Sequence, residues 1–179
     1  EAREEIMSQQ VIIFDSADNT GKTNIARELC RRTGLPYFKN KDEHQYFLSN
    51  PGYFIDAIRY VDTYFTSYLE ATKASIVLDR AWPSEWVYSQ VMDRSTDIPV
   101  LRSLDDRHAA MGTKIIIPFR TDYSAQHDRY DAINENIDAI SDLYKLFAVW
   151  SNCDTLLLNV DDEDLDRELA EVTRFLGIE

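Results

Sequence analysis

The hydrophobic pattern divides the chain into short unbroken apolar runs separated by longer stretches of helical period. Val11 to Phe14 is apolar without polar alternation, as a strand buried on both faces of a parallel sheet reads. Comparable runs recur at Leu35 to Phe38, Ser75 to Leu78, Thr113 to Pro118 and Thr155 to Val160, which gives five strand candidates. Between them the period lengthens. Ile25, Ala26 and Leu29 fall at helical spacing before a stop at Gly34, and Asn50-Pro51 opens a helix out to about Ala71. Its stripe of Phe54, Ile55, Ile58, Val61, Tyr64, Phe65, Tyr68 and Leu69 is core by default. Further helices are predicted from Pro83, from Asp97 to Met111, from Ala132 to Trp150 and from Glu163 to Phe175. Strand and helix in alternation predict a parallel α/β sheet with right-handed crossovers, its ligand crevice at the C-terminal ends of the strands.

The first strand runs into the turn SADNTGKT and then a helix, the setting a phosphate-binding loop needs. Backbone N–H groups of Ala17, Asp18, Asn19, Thr20, Gly21 and Asn24 would cradle phosphates, helped by the helix dipole. Lys22 would reach the terminal phosphates as a mobile point charge, and the Thr23 hydroxyl would ligate magnesium. Against the pattern GxxxxGK[ST] there is one departure: Ser16 stands where the first glycine should be, which requires a negative φ there. An ordinary Gly-Lys turn is the bland alternative, but strand, loop length, Lys-Thr pair and helix all agree.

Other strand ends supply further candidates. Asp79, closing the run Ser75 to Leu78, is suited to hold a metal-bound water, and Arg80 to grip a second phosphate bidentately. Lys39 and Lys41, past the second strand, are either anion contacts or solvated loop lysines. Arg59 either snorkels from its helix or crosses the crevice to a substrate. Trp82, Trp86 and Tyr88 are candidates both for stacking on a base and for plain core. The polar stretch Arg120 to Asp131 carries Arg120, His127 and Arg129 and reads as a mobile flap, a lid at about 119–131.

Bulk composition narrows the partners. The 179 residues make one domain (10–179) after a charged extension (1–9) that reads as a cloning remnant or frayed helix. With 19 Lys+Arg against 32 Asp+Glu the net charge is −13, which disfavours a polymeric nucleic acid or an anionic membrane as partner. Cys30 and Cys153 form no CxxC pattern, and His44, His108 and His127 lack metal-ligand spacing. With no long apolar run, a cytoplasmic location is expected.

Three motifs resemble the thymidylate-kinase-like branch of the P-loop nucleoside and nucleotide kinases. FDSADNTGKT is similar to the loop FEG.DG.GKT, and LDRAWPSEWVYSQ to the segment DRY..S..AYQ, with Arg59 near the family's helical arginine. SEWVY after the Asp-Arg pair also resembles compact kinases of bacterial viruses, implying a host cytoplasm. The resemblance implies a P-loop NTPase fold: a five-stranded parallel sheet flanked by helices, with a short lid. It implies ATP and Mg2+ as cofactors and a deoxynucleoside monophosphate as small-molecule acceptor, and it admits a homodimer. By the same resemblance Lys22 and Thr23 bind donor phosphates and metal, Asp79 orients the metal or its water, and Asn159 and Val160 lie near the adenine. Asp18 would contact a deoxyribose 3′-hydroxyl, Arg80 and Arg59 the acceptor, with Trp82 and Tyr88 beside it. Asn19 in place of a glycine sends the catalytic arginine to the lid, as Arg129 or Arg120. Two alternatives stand: a kinase for a nucleoside or a 5-hydroxymethyl pyrimidine in DNA, and a non-catalytic nucleotide-binding switch.

Overall fold

A computed structural model describes residues 9–39, 52–126, 128 and 131–178. Five strands form one parallel sheet: β1 (Val11–Phe14), β2 (Tyr37–Lys39), β3 (Ile76–Asp79), β4 (Lys114–Phe119) and β5 (Asp154–Asn159), in the order β2-β3-β1-β4-β5. All five predicted strands are present, β1 with the predicted bounds and the others shifted by a residue or two. The central strand is β1, flanked by β3 and β4, so the loop after it opens where the strand order reverses, the topological switch point of such sheets. The register pairs Phe14 with Asp79 and Lys39 with Asp79. The ends of β1, β2 and β3 therefore converge on one spot.

The helices are α1 (Lys22–Thr33), α2 (residues 53–72), α3 (Trp82–Val91), α4 (Ile98–Ala110), α5 (Asp131–Trp150) and α6 (Leu165–Leu176). They bury both faces of the sheet, which is why the strands read as continuous apolar runs. On one face Ile13, Leu78, Ile115 and Ile117 pack with Ile58, Val87, Leu101, Leu104, Ile140 and Phe147 from α2 to α5. On the other, Ile12, Phe14, Val77 and Ile116 meet Ile25, Leu29, Leu169 and Val172 of α1 and α6. Alternate residues of β1 thus serve different cores, as strand geometry demands. Among the described residues no helix is long and apolar enough to cross a membrane.

The stripe expected to bury α2 does so only in part. Ile58 and Leu69 are buried, whereas Val61, Tyr64 and Tyr68 are exposed, Tyr64 at 75%. The reason lies in the backbone: Ala57–Asp62 form a π-helical stretch, whose wider turn shifts every later residue off the 3.6-residue period. Thr63 repairs part of the loosened ladder, its hydroxyl donating to the Ile58 carbonyl at 2.8 Å.

α2, α4 and β4 meet at His108, which is buried, its ring 3.2 Å from the Thr66 hydroxyl and 3.0 Å from that of Thr113. Burial, aided by nearby Arg107, holds its pKa down at about 4 against an ordinary 6.5. The unfolded chain therefore binds a proton between those values that the folded chain refuses, so stability falls as pH drops through that window. At pH 4.5 the loss relative to neutrality should be about 2–3 kcal/mol from this group. Urea unfolding of the wild type and His108→Asn at neutral pH and at pH 4.5 checks it, since the variant should lack this part of the pH dependence.

Candidate active site

The loop between β1 and α1 has two left-handed positions, Asn19 at φ 60° and Gly21 at φ 73°. Asparagine tolerates that region better than other side-chain-bearing residues, which explains how it stands where the resembling loop has glycine. Ser16 is not left-handed, so its side chain is accommodated without strain, and its hydroxyl lies 2.7 Å from that of Thr20 and donates to the Ala17 carbonyl at 3.0 Å. Gly21 is the N-cap of α1 and no side chain caps the helix. The positive end of the helix dipole is left on a cavity of about 230 Å³ lined by residues 18–24, Lys39 and Asp128.

Lys22 is buried at the base of this cavity and has no hydrogen-bond partner among the described residues. Burial, with the like charge of Arg80, lowers its pKa to about 8. An ammonium so poorly solvated gains more from an arriving phosphate than one already paired. Beside it, Thr23 donates to Asp79 Oδ2 at 2.6 Å, and the same oxygen accepts from the Tyr37 hydroxyl at 2.7 Å and lies 3.1 Å from Lys39 Nζ. Burial works against the Asp79 charge, but Lys22 and these hydrogen bonds more than offset it, and its pKa is lowered. Asp79 Oδ1 is buried and has no hydrogen-bond partner among the described residues. An orphaned carboxylate oxygen next to the loop threonine fits a hydrated magnesium ion, with Thr23 as ligand and Asp79 holding its water.

Across the loop a second constellation forms around Arg80, itself left-handed at φ 71°. Its Nη2 donates to Asp18 Oδ1 at 2.6 Å, and the Tyr88 hydroxyl donates to Asp18 Oδ2 at 2.7 Å. Burial would raise the Asp18 pKa, yet Arg80 and Lys22 pull it down to about 2. Its Nη1 donates to the Ser16 carbonyl at 3.0 Å and lies 3.3 Å from Asp15 Oδ1. Asp15, fully buried, also accepts from the Tyr144 and Ser84 hydroxyls at 2.7 Å each and from the Ala81 and Ser84 N–H groups at 3.1 Å each. The start of α3 is thereby bolted to the end of β1. Sequence reasoning missed Asp15, Tyr37, Ser84, Tyr144 and Asp128; of these only Asp15, an acid directly after an apolar strand, carried a readable signal.

Several predicted site residues have other posts. Arg120 donates from Nε to the Asn19 carbonyl at 2.9 Å, from Nη1 to the Val160 carbonyl at 3.3 Å and from Nη2 to Glu163 at 2.8 Å, with its side chain only 11% exposed. It clamps the loop to the turn after β5 rather than serving as a mobile lid arginine. The beginning of the expected flap is docked too: Thr121 is bonded to Asp161 through backbone and hydroxyl, and Tyr123 is buried. Trp82 is not a base-stacking surface, because it is buried, 5.4 Å from the Phe147 ring centroid. Trp86 and Trp150 complete that aromatic core. Arg59 pairs with Asp97, the N-cap of α4, at 2.6 Å instead of reaching the loop. Asn159 and Val160 do not line the cavity: their carbonyls are taken by Arg167 and Arg120, and the Val160 side chain is core. Ala17 is likewise buried behind the loop. Lys41, His44, His127 and Arg129 lie outside the described residues.

Strand, Gly-Lys-Thr loop, uncapped helix and strand-end aspartate on this sheet order define a P-loop fold. No protein-family model matches the chain, and no curated protein matches its sequence. Solved structures do match it. The YorR protein of Bacillus subtilis, in complex with phosphorylated GDP, superposes with a TM-score of 0.67 at 18% identity, over 94% of this chain and 96% of that one. Thymidylate kinase from Ehrlichia chaffeensis gives 0.63 at 16% identity, over 94% and 99%. Deoxyadenosine kinase from M. mycoides, with products dCMP and a flexible dCDP bound, gives 0.58 at 16% identity, over 94% and 98%. The likeness is one of fold, and it runs nearly the full length of both partners.

Proposed function

We propose that the chain is an ATP- and magnesium-dependent kinase that transfers the γ-phosphoryl group to a deoxynucleoside monophosphate, with a thymidylate-like acceptor. One observation carries the reading: Lys22, buried and without a hydrogen-bond partner among the described residues, lines the cavity together with Thr23, which is bonded to Asp79, and with Asp18, which is held from behind by Arg80 and Tyr88. Lys22, Thr23 and Asp79 are equipped for donor phosphates, Asp18, Arg80 and Tyr88 for a sugar hydroxyl and an acceptor phosphate. Phosphoryl transfer asks a protein mainly for positioning and charge neutralisation. Lys22 and the N-terminus of α1 would draw charge from the donor phosphates, and Thr23 and Asp79 would hold a magnesium ion that supplies further charge neutralisation there. Asp18 would orient the acceptor through its ribose. Thymidylate kinase among the structural neighbours is in keeping with such an acceptor, and deoxyadenosine kinase with a nucleoside one.

A second reading is favoured by the state of Arg80. Its guanidinium is already engaged by Asp15 and Asp18, so an acceptor phosphate would have to displace Asp18, whereas an uncharged nucleoside would not. ATP consumption measured against nucleosides, deoxynucleoside monophosphates and DNA separates the two. Acceleration by a monophosphate, thymidylate foremost, is the expected result. Turnover with nucleosides alone would transfer the assignment to the second reading, and no turnover with any acceptor would leave a nucleotide-binding switch.

A further inference from the structure

Lys39, the last residue of β2, is not the free loop cation or the solvated lysine that its position suggests. Its Nζ is 3.0 Å from Thr23 Oγ1 and 3.1 Å from Asp79 Oδ2. Those are the two side chains that would hold a magnesium ion and its water. The contact is built into the sheet, since β2 and β3 pair Lys39 directly with Asp79, and Tyr37 on the same strand fixes the carboxylate from the other side. Thr23 gives its one proton to Asp79 and accepts from Lys39, so its oxygen faces a cation of the protein's own. A monovalent ammonium and a divalent ion cannot both sit against this oxygen, because their repulsion at contact distance in a partly buried site is large.

We infer that Lys39 is a resident cation that occupies the magnesium position until a magnesium nucleotide displaces it. The inference rests on reading the loop as a magnesium-nucleotide site and adds an order of events to it. Free metal is held off, because the metal-competent state is only the fraction in which Lys39 has left. Nucleotide and metal together displace the ammonium, since the phosphates supply ligands that Thr23 and Asp79 alone do not. Lys39 lines the same cavity as Lys22, and its side chain is 32% exposed, so the released ammonium can turn onto the phosphates as a second positive charge.

Manganese, a paramagnetic substitute for magnesium, can be titrated into the nucleotide-free protein and followed by water-proton relaxation. Lys39→Met and Lys39→Ala should each bind it roughly tenfold more tightly than the wild type, and Lys39→Arg should resemble the wild type. Adding Thr23→Ala to Lys39→Met should remove the gain. All of these sit at a strand end or on the cavity wall, and circular dichroism verifies that each is folded. Equal manganese affinity in the wild type and both neutral variants overturns the inference. Calorimetry with a non-hydrolysable ATP analogue, with and without magnesium, shows which idea has failed. A wild type that binds no magnesium nucleotide overturns the site reading and the inference together. Magnesium-dependent nucleotide binding with an unchanged manganese affinity overturns the role of Lys39 alone.

Discussion

Lys22→Ala should slow phosphoryl transfer at least about a hundredfold, a loss of roughly 3 kcal/mol of transition-state stabilisation. The size follows from the surroundings of the side chain. Lys22 is buried and has no hydrogen-bond partner among the described residues, so its charge is little screened by water and acts on Asp18, Asp79 and Asp15 only through space. A phosphate entering the cavity can take up the hydrogen bonds that the ammonium does not spend on any described residue. The same isolation separates catalysis from stability. A pKa lowered to about 8, chiefly by burial, means that the fold resists the ammonium, and removing it should leave thermal stability unchanged or raised. Single-turnover rates and melting curves on the same preparations check both halves. Unchanged transfer would defeat the site assignment, and a large drop in melting temperature would mean that Lys22 is held by contacts the structure does not contain.

The donor half of the site was legible in the sequence because its requirements are local. A buried strand, a Gly-Lys-Thr turn and a helix are contiguous, and each announces itself by composition or period. Ser16 illustrates the reach of such reasoning: the requirement that it avoid the left-handed region follows from the motif, and the backbone meets it. What stayed hidden depends on pairings between distant residues. Nothing in the period of α2 announces a π-helical stretch, so its aromatic stripe reads as core although half of it faces solvent. Arg59 and Arg120 were legible as arginines near a crevice. Their partners, Asp97 in one case and the Asn19 and Val160 carbonyls in the other, are far off in sequence and decide what they do. Lys39 is the sharpest instance, since only the pairing of β2 with β3 turns a loop lysine into a contact of Thr23 and Asp79.

Asp15→Ala should destabilise the protein by about 3–5 kcal/mol, the range for removing one partner of a buried charge pair. The carboxylate is fully buried and gathers the Ser84 and Tyr144 hydroxyls, two backbone N–H groups at the start of α3 and the Arg80 guanidinium. Alanine leaves the two N–H groups and Tyr144 without that acceptor in a site closed to water, and it removes one of the two carboxylates that balance Arg80. Asp15→Asn divides the effect into shape and charge. The amide oxygen can still accept from the Ala81 and Ser84 N–H groups, and the two hydroxyls can turn to accept from its NH2. The surviving deficit is then the lost ion pair with Arg80, and the cost should be about 1–2 kcal/mol. Urea denaturation of the three proteins gives the ordering directly. Equal stability of Asp15→Asn and Asp15→Ala would mean that charge, not the hydrogen-bond network, joins β1 to α3. A near-neutral Asp15→Ala would mean that Asp18 alone suffices to hold Arg80 in its left-handed conformation.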